Sequence, residues 1–484
     1  MIIGHNMLKF NNRILMIGYG SVARCTLPIL HTHLNFDPSK LTILDYNPPD
    51  NTSWIPAGTV YRPQKITPDN INTILSQHLS SGDLLIDLAW NIDCKTILQW
   101  CHDNNVFYIN TSVEIWNPYE TIDIPKRTLY WRHNNLQHLK HTWSGPTAIL
   151  EHGANPGLIS HFVKAALIDI AQNGIADKKF TNLQAEKIHT YIKSKSYNHL
   201  AMEMGVKVIH CSERDTQITN KPKQVDEFVN TWSVEGFHEE GTTTAELGWG
   251  THEKTLPPHA IQHKVGTKSQ ICLARMGMNC YVRSWVPPNH NIVGMLVRHG
   301  ESLSITEHLT VKKHNQVIYR PTVHYAYCPC DAAIASLHEL RGNNYQLQSR
   351  SRIMTDEITS GSDILGALVM GHPYGAWWCG SDLSIEESRT LVPHQNATTM
   401  QVAISIVAAV LWMLKNPDSG LCVPDDLPHD EVLETCKPYL GKFISCATDW
   451  SPLRHHHSYF RGYNDPDLDY IDKWQFKNFL ITED

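Results

Sequence analysis

Two glycines and an alanine, Gly18, Gly20 and Ala23, stand at the spacing G-x-G-x-x-A directly after a short apolar run. In such a turn the first glycine permits a tight bend, and the second lets the backbone approach a pyrophosphate. The small third residue lets the following helix pack closely, so that its positive N-terminal end faces the phosphates. The turn, with Ser21 and Val22 inside it, therefore predicts a dinucleotide site. An ordinary glycine-rich turn is the alternative.

An acidic residue at the end of the next predicted strand supports a dinucleotide site. Asp45 ends the apolar run 41–45, roughly 20 residues after the glycine turn, which is where Rossmann-type domains place the carboxylate that binds a ribose. A carboxylate there accepts hydrogen bonds from a 2′-hydroxyl and repels a 2′-phosphate. We therefore expect the cofactor to be NAD rather than NADP.

A second candidate site lies in the segment 226–253, which carries seven carboxylates, two tryptophans and two phenylalanines but no lysine or arginine. A solvated acidic surface is the plainer interpretation of such a run. Aromatic rings among acids also suit an organic cation, because an indole face attracts an ammonium or iminium group and carboxylates hold its charged ends. We favour a cation site in this segment.

The chain pattern predicts the elements that must position these groups. From residue 13 to about residue 150, apolar runs alternate with helical patterns, which is typical of a Rossmann-type, doubly wound parallel sheet in an α/β domain. A second, α+β domain with a mostly antiparallel sheet is predicted from strand-like runs at 187–192, 206–209, 270–273, 291–297 and 302–306.

We divide the chain into three parts. Residues 1–155 form an NAD-binding domain, and residues 156–380 form a domain for substrate binding and dimerisation. Residues 381–484 hold a helix that returns to the cofactor domain and a tail that wraps over the body.

Ligands of doubly wound sheets lie beyond the carboxyl ends of the strands. Residues after two predicted strands are therefore candidates for the nicotinamide end of the site, although they could equally cap the strand ends. They are Asp87, Leu88, Ala89, Trp90 and Asn91 after one strand, and Asn110, Thr111, Ser112, Val113 and Glu114 after the other. The turn 151–157 could likewise approach the nicotinamide, or act as a hinge.

Composition narrows the classes of partner. A net charge of −7 disfavours nucleic acid and anionic membranes and favours a cationic ligand. The 12 scattered cysteines lack metal-ligand spacing, and the run His455–His457 is interpreted as a polar surface turn, so we expect no metal. The chain contains neither G-x-S-x-G nor H-E-x-x-H, which argues against a serine hydrolase or a zinc peptidase.

Two apolar runs bear on location. The run 402–414 is too short to span a bilayer, so we interpret it as a buried helix. The N-terminal apolar run belongs to the first strand and is too short for an export signal, so we expect reduced thiols and a cytoplasmic protein.

Several long motifs in one order carry a resemblance over nearly the whole chain. They are GYGSVA (18–23), EHGANPGL (151–158), SERDTQ (212–217), NTWSVEGF (230–237), AELGWGTHE (245–253), and LSIEESR followed by PHQNAT (383–398). The chain resembles the bacterial homospermidine synthases, within the saccharopine-dehydrogenase-like group.

That resemblance implies a reaction with no net redox change. Bound NAD takes a hydride from putrescine, a second putrescine displaces ammonia, and the hydride returns to the new Schiff base to give homospermidine. Spermidine can also serve as donor, and the resemblance implies a homodimer.

The resemblance also implies roles for individual residues. Trp232 offers a cation–π face to the iminium, while Glu213 and Glu240 grip ammonium ends, with Glu239 as an alternative to Glu240. His299 shuttles protons, although a structural histidine is the plainer interpretation. Further substrate contacts are assigned to Glu114, Asn155, Asp363, Asn91 and Asp93, and further cofactor contacts to Asn155, Leu158, Pro393 and Asn396.

Two rival functions stay open. A net oxidoreductase of the saccharopine or carboxyspermidine dehydrogenase type would act on carboxylate-bearing substrates and call for arginine or lysine near the site. A non-catalytic NAD-binding sensor or scaffold would need no cluster of carboxylates and tryptophan.

Overall fold

The computed structural model describes residues 7–49, 52–454 and 468–481, so the histidine run 455–457 lies outside the described residues. The strands, in chain order, are β1 (Leu8–Lys9), β2 (Ile14–Ile17), β3 (Leu34–Asn35), β4 (Leu41–Asp45), β5 (Val60–Pro63), β6 (Leu84–Asp87), β7 (Phe107–Asn110), β8 (Ala148–Ile149), β9 (Val208–Asp215), β10 (Ile218–Thr219), β11 (Glu227–Asn230), β12 (Thr244–Gly248), β13 (Ala260–Gln262), β14 (Gln270–Met276), β15 (Tyr281–Val286), β16 (His290–Met295), β17 (Val311–Lys313), β18 (Gln316–Tyr319), β19 (Thr322–Cys328), β20 (Arg350–Ile353), β21 (Ile358–Ser360), β22 (Ser362–Met370), β23 (Ala376–Ser384), β24 (Leu421–Cys422), β25 (Lys442–Thr448) and β26 (Leu480–Ile481). The helices are α1 (Ser21–His33), α2 (Ile71–His78), α3 (Cys94–Asp103), α4 (Leu129–Asn134), α5 (Gln137–Thr142), α6 (Leu158–Ala176), α7 (Asn182–Lys193), α8 (Tyr197–Met204), α9 (Val234–Thr242), α10 (Gly300–His308), α11 (Asp331–Gly342), α12 (Ile385–Leu391), α13 (Ala397–Lys415), α14 (His429–Cys436) and α15 (Phe476–Phe479).

The first sheet has seven strands in the order β24-β8-β7-β6-β2-β4-β5, and every neighbouring pair is parallel. All four residues of β2 are buried, as expected for an apolar run covered on both faces by helices. The strand order reverses beside β2, so the carboxyl ends of β2 and β6 flank the crevice where such sheets bind ligands. The predicted Rossmann-type sheet is confirmed.

The second sheet has eleven strands, whose main path runs β13-β14-β12-β19-β9-β22-β23-β25, with β15, β16 and β26 attached at its side. Its pairs are antiparallel except for β19 with β9. The predicted mostly antiparallel sheet is therefore confirmed as well.

Helix α13 lies between the two sheets, since it packs on α1 of the first domain and contacts β22 of the second. Its core positions belong to the same apolar cluster as the inner residues of both sheets. The part 381–484 contributes to both halves, because β24 pairs with β8 and β25 pairs with β23. The three-part division of the chain stays a prediction.

Two of the predicted strands are wrong. Residues 187–192 lie in α7, which begins with a capping box between Thr181 and Gln184 and buries Ile188 alone. Residues 302–306 lie in α10, which is buried on most sides and therefore shows no helical period in its sequence. In both runs β-branched residues imitate a strand, and tertiary packing decides otherwise.

The reasoning on the apolar run 402–414 also needs correction. The helix α13 has 19 residues, long and apolar enough to cross a membrane, so length does not decide its place. Burial does, because 78% of its most apolar stretch is enclosed by the protein.

Candidate functional site

The glycine turn after β2 forms the start of a nucleotide site. Gly18 has φ +91°, and a Cβ there would lie 2.8 Å from the carbonyl oxygen of Leu88. Gly20 begins α1 without a side-chain cap, and no atom of the described residues lies within 4 Å of where its Cβ would be. Ala23 is fully buried against the sheet. A helix N-terminus with free amides thus faces open space, which fits a phosphate group.

Asp45 is fixed at the end of β4 beside this turn. Its Oδ2 accepts a hydrogen bond of 2.7 Å from the Tyr19 backbone N–H, and its Oδ1 accepts one of 2.9 Å from the Asn47 N–H. The turn and the carboxylate are therefore held together. The uncapped helix, the space before Gly20 and the position of Asp45 all fit a nicotinamide dinucleotide.

A cleft of about 1170 Å³, counting its open mouth, extends from this turn toward the second sheet. On the cofactor side it is lined by Val22, Leu88, Ala89, Thr111, Ser112 and Asn155. On the other side it is lined by Glu114, Glu213, Trp232, Glu240 and His299. Residues that the sequence predicts for cofactor and for substrate therefore share one cleft.

Trp232 presents its indole to the cleft from the turn before α9. Its Nε1–H donates a hydrogen bond of 2.9 Å to the Tyr327 hydroxyl, and its ring packs at 5.4 Å from Phe237. Tyr325 stacks on Tyr327 with ring centroids 5.1 Å apart. The indole is thus fixed in an aromatic wall, and such a wall suits a cation.

Glu213, on β9, lies beside that wall and is 3% exposed. Its Oε2 accepts a hydrogen bond of 2.9 Å from Asn155 Nδ2 and a second from the Tyr325 hydroxyl. Burial raises the pKa of Glu213 to about 7, against the opposing effect of the Tyr325 hydrogen bond. A carboxyl with this pKa changes charge near neutral pH.

His299 stands between two carboxylates. Its Nε2 lies 3.0 Å from Glu240 Oε2, and its Nδ1 lies 3.4 Å from Glu301 Oε2. Burial alone would lower the pKa of His299, but Glu240 and Glu301 together hold it well above its usual value. Both Glu301 oxygens are buried and accept no hydrogen bond from the described residues. Glu301 thus faces the imidazole nitrogen that points away from Glu240.

The segment 226–253 has no arginine or lysine of its own, but Glu239 is paired with two arginines from other parts of the chain. The Nη2 atom of Arg132, in α4, lies 2.6 Å from Glu239 Oε1. Arg298 Nη2 forms an ion pair with the same oxygen. Trp90 Nε1 donates to its other oxygen at 3.2 Å. Arginines outside the segment therefore neutralise Glu239, whereas Glu240 is the carboxylate of this segment that lies beside His299.

Glu114 lines the cleft on the far side of these arginines. Its Oε2 lies 3.9 Å from Arg132 Nη1, a long ion-pair distance. Burial, and next the charge of Glu239, raise the pKa of Glu114 to about 7.

The structure places several other predicted residues outside the lining of the cleft. Asp363 is buried on β22, opposite Asp215 of β9, and its Oδ1 accepts no hydrogen bond from the described residues. Asn91 has φ +57°, and Asp93 caps α3 by accepting the Thr96 N–H at 2.8 Å.

The remaining predicted cofactor residues also lie outside the lining of the cleft. Asp87 accepts the Tyr108 hydroxyl at 3.0 Å, and Asn396 caps α13 by accepting the Thr399 N–H at 2.8 Å. Val113 and Leu158 are core residues, and Pro393 is exposed.

Sequence reasoning missed part of the cleft. The additional lining residues include Glu151, Arg298, Tyr325, Thr398 and Val402. Thr398 is the last residue of the PHQNAT motif, and Glu151 begins EHGANPGL, so those motifs carried a signal. Tyr325 lies in the middle of β19, where nothing in the local pattern distinguishes it from a core residue.

Two protein-family models match the chain. The Saccharopine dehydrogenase NADP binding domain matches residues 14–149, and the Saccharopine dehydrogenase C-terminal domain matches residues 153–447. Fold and site therefore define a nicotinamide-dependent protein of the saccharopine dehydrogenase class.

Closer relatives narrow this class. The chain is 39% identical to a homospermidine synthase of Blastochloris viridis over 98% of each chain, and 39% identical to one of Mesorhizobium japonicum over 97% of this chain and 96% of that one. It also matches the crystal structure of a homospermidine synthase from Legionella pneumophila in complex with NAD, with 37% identity, a TM-score of 0.87 and 99% of each chain covered. The chain belongs to the homospermidine synthase family.

Proposed function

We propose that this protein is a homospermidine synthase, which joins two putrescines, or spermidine and putrescine, with loss of ammonia and no net redox change. The observation that carries the proposal is the shared cleft, where the Trp232 indole and the Glu213 and Glu240 carboxylates face the predicted nicotinamide end. A polyamine is a flexible cation with two charged ends, which this combination of ring and acids suits.

NAD, when bound, supplies the group that accepts and returns a hydride. The turn Gly18–Ala23 would hold its pyrophosphate, and Asp45 would bind the adenosine ribose and disfavour a 2′-phosphate. Leu88, Ala89, Thr111 and Ser112 would surround the nicotinamide, since they line the adjoining part of the cleft.

Trp232 and Glu213 stabilise the charge that develops on the substrate. Removal of hydride from a carbon next to nitrogen creates positive charge at that C–N bond, and an aromatic face or carboxylate fixed there lowers the barrier. The indole cannot swing away, because Tyr327 holds its Nε1. Asn155, on the cofactor side of the cleft, donates a hydrogen bond to the Glu213 carboxylate and fixes its position.

His299 and Glu240 handle protons. A substrate ammonium must lose a proton before its nitrogen attacks an imine carbon, and a base in the cleft must take that proton. The Glu240 carboxylate, 3.0 Å from His299, can hold the ammonium while the imidazole exchanges the proton.

A net oxidoreductase acting on an amino acid conjugate is the rival function. Its substrate would need a free cation in the cleft to bind a carboxylate. Among the described residues that line the cleft, Arg298 is the one arginine or lysine. It is ion-paired with Glu239, and the charges of Glu246, Glu114 and Glu240 also act on it. This pairing favours a substrate without carboxylates.

The test is incubation of the purified protein with putrescine and catalytic NAD⁺, with homospermidine and ammonia followed by mass spectrometry and NADH by absorbance. We expect both products without accumulation of NADH. Stoichiometric NADH would instead indicate a net amine dehydrogenase. If homospermidine, ammonia and NADH were all absent, the result would favour a non-catalytic sensor or scaffold.

A homodimer and a cytoplasmic location stay predictions. Sedimentation equilibrium should give twice the mass of the chain, and a single-chain mass would contradict the homodimer. Cell fractionation should recover the protein with the cytosolic fraction.

A further inference from the structure

A second cavity lies behind the cleft, between α4, α10 and the turn 424–426. Its volume is about 810 Å³, counting its open mouth, and it is lined by His133, Lys140, Leu303, Glu307, His308 and Asp426, among others. The Lys140 and Asp426 side chains pair at 3.4 Å and are 44% and 39% exposed, so this second cavity reaches the surface.

One pair of side chains forms the wall between the two spaces. Glu151 lines the cleft, His133 lines the second cavity, and Glu151 Oε2 lies 2.8 Å from His133 Nε2. The pair is buried, with side-chain exposures of 3% for Glu151 and 11% for His133. Glu151 and His133 can both exchange protons, and their contact joins the inside of the cleft to a cavity that is open to water.

Local structure holds this pair in position. Glu151 adopts a left-handed backbone, with φ +56°, and its N–H donates a hydrogen bond of 2.8 Å to Asn110 Oδ1. Its carboxylate passes directly over Gly300, where a Cβ would lie 1.9 Å from Oε2. Glu246 anchors the start of α4, which carries His133, by accepting the Leu129 and Tyr130 N–H groups at 2.8 Å each.

Titratable groups on the neighbouring elements influence the pKa values of Glu151 and His133. Glu246 and Glu307 face His133, and His299 faces Glu151 from the cleft. His308, Asp425, Asp426 and Lys140 complete the titratable lining of the second cavity. Burial opposes charge on His133, but Glu151 raises its pKa overall, and His133 lowers that of Glu151 despite burial. The two side chains therefore favour their charged forms, a Glu151 carboxylate and a His133 imidazolium.

We propose that Glu151 and His133 form a proton relay between the cleft and the second cavity, an inference that rests on the proposed function. The reaction releases a proton whenever a substrate ammonium becomes a nucleophilic amine. Glu151 takes this proton from the ammonium or an intervening water, and His133 releases another from its second ring nitrogen to water in the second cavity. A flip of the imidazole then lets Glu151 pass its proton on, so one proton enters and one leaves.

The decisive variant is His133→Ala, assayed with putrescine in the presence and absence of imidazole. We expect turnover to fall by roughly a hundredfold, the lower end of the usual contribution of general acid–base catalysis. Imidazole added to the solution should restore much of the rate, since the second cavity is open to solvent. The solvent deuterium isotope effect on turnover should rise in the variant, because proton transfer becomes limiting.

His308→Ala is the matched control, because His308 lines the second cavity without a hydrogen bond to Glu151 among the described residues. Its turnover, isotope effect and response to imidazole should stay those of the wild type. If His133→Ala does not fold, as judged by its melting temperature, His133→Asn replaces it. Its side chain is polar and larger than that of alanine, and we expect the same loss of turnover.

Near-normal turnover of a folded His133 variant would overturn the relay, as would a loss that imidazole does not restore and that leaves the isotope effect unchanged. Wild-type protein in the same assay separates this result from failure of the proposed function. Absence of homospermidine with the wild type refutes the function, whereas homospermidine with an unaffected variant refutes the relay alone.

Discussion

At the scale of single residues, the Trp232 indole is the group whose place is hardest to explain by stability alone. Its Nε1–H donates a hydrogen bond to the Tyr327 hydroxyl, and its ring lines a cleft that also contains several carboxylates. Trp232→Ala should lower turnover by roughly thirtyfold, which corresponds to about 2 kcal/mol for a desolvated cation–π contact. Binding of NAD, measured by calorimetry, should change little, since the ring lies on the substrate side.

Trp232→Phe is the control for this substitution. It keeps an aromatic face and loses the hydrogen bond to Tyr327, so its turnover should lie between those of Trp232→Ala and the wild type. Equal and near-normal turnover in both variants would remove the cation–π role.

The pKa of Glu213, raised by burial to about 7, predicts a pH dependence. Below that pH the carboxyl is protonated and cannot pair with an ammonium, and above it the carboxylate can. The kcat/KM for putrescine should therefore rise as pH increases through about 7 and then level off. Glu213→Gln should flatten this limb, and a limb that persists unchanged in the variant would assign it to another group.

At the scale of elements, the close passage of Glu151 over the first residue of α10 leads to a stability prediction. Gly300→Ala should lower the free energy of unfolding by about 1–3 kcal/mol, because its Cβ would overlap the Glu151 carboxylate. Gly342→Ala, at the end of α11 with no described atom within 4 Å of its Cβ, is the matched control. Thermal unfolding should show a lower melting temperature for the first variant and an equal or higher one for the second.

Elements with strong local signals could be predicted from the sequence, and those set by tertiary packing could not. The strand β2, the turn at Gly18 and the helix α1 follow from an apolar run and a glycine spacing. The helix α10 does not, since burial on most sides erases its period. In the site, Trp232 and Glu213 stand in recognisable motifs, whereas Tyr325 reaches Glu213 from a strand more than a hundred positions away.

The ion pairs of the site could not be predicted from the sequence either. Acids in the segment 226–253 are visible in the sequence, but their partners are not. Arg132 and Arg298 arrive from other elements and neutralise Glu239, while Glu240 is left to His299. Only the folded chain distinguishes these adjacent glutamates.

At the scale of the whole molecule, the cysteines give a test of the expected reduced state. All 12 are free thiols, and ten of them are buried, leaving Cys328 and Cys446 partly exposed. A thiol reagent should label these two in the native protein and all of them after unfolding without reductant. Burial also raises the pKa of both thiols, so their labelling should be slow at neutral pH. Fewer free thiols in the unfolded protein would reveal disulfides and contradict the expectation.

The proposed reaction returns the hydride to the substrate within one cleft. An equal mixture of unlabelled putrescine and putrescine deuterated at both carbons next to nitrogen tests this by mass spectrometry of the homospermidine formed. Because each hydride returns to the carbon that lost it, the product should contain zero, four or eight deuterium atoms. Products with odd numbers of deuterium atoms would show that hydride from one substrate molecule reaches another, which contradicts its return to the same carbon. Absence of homospermidine would contradict the proposed function.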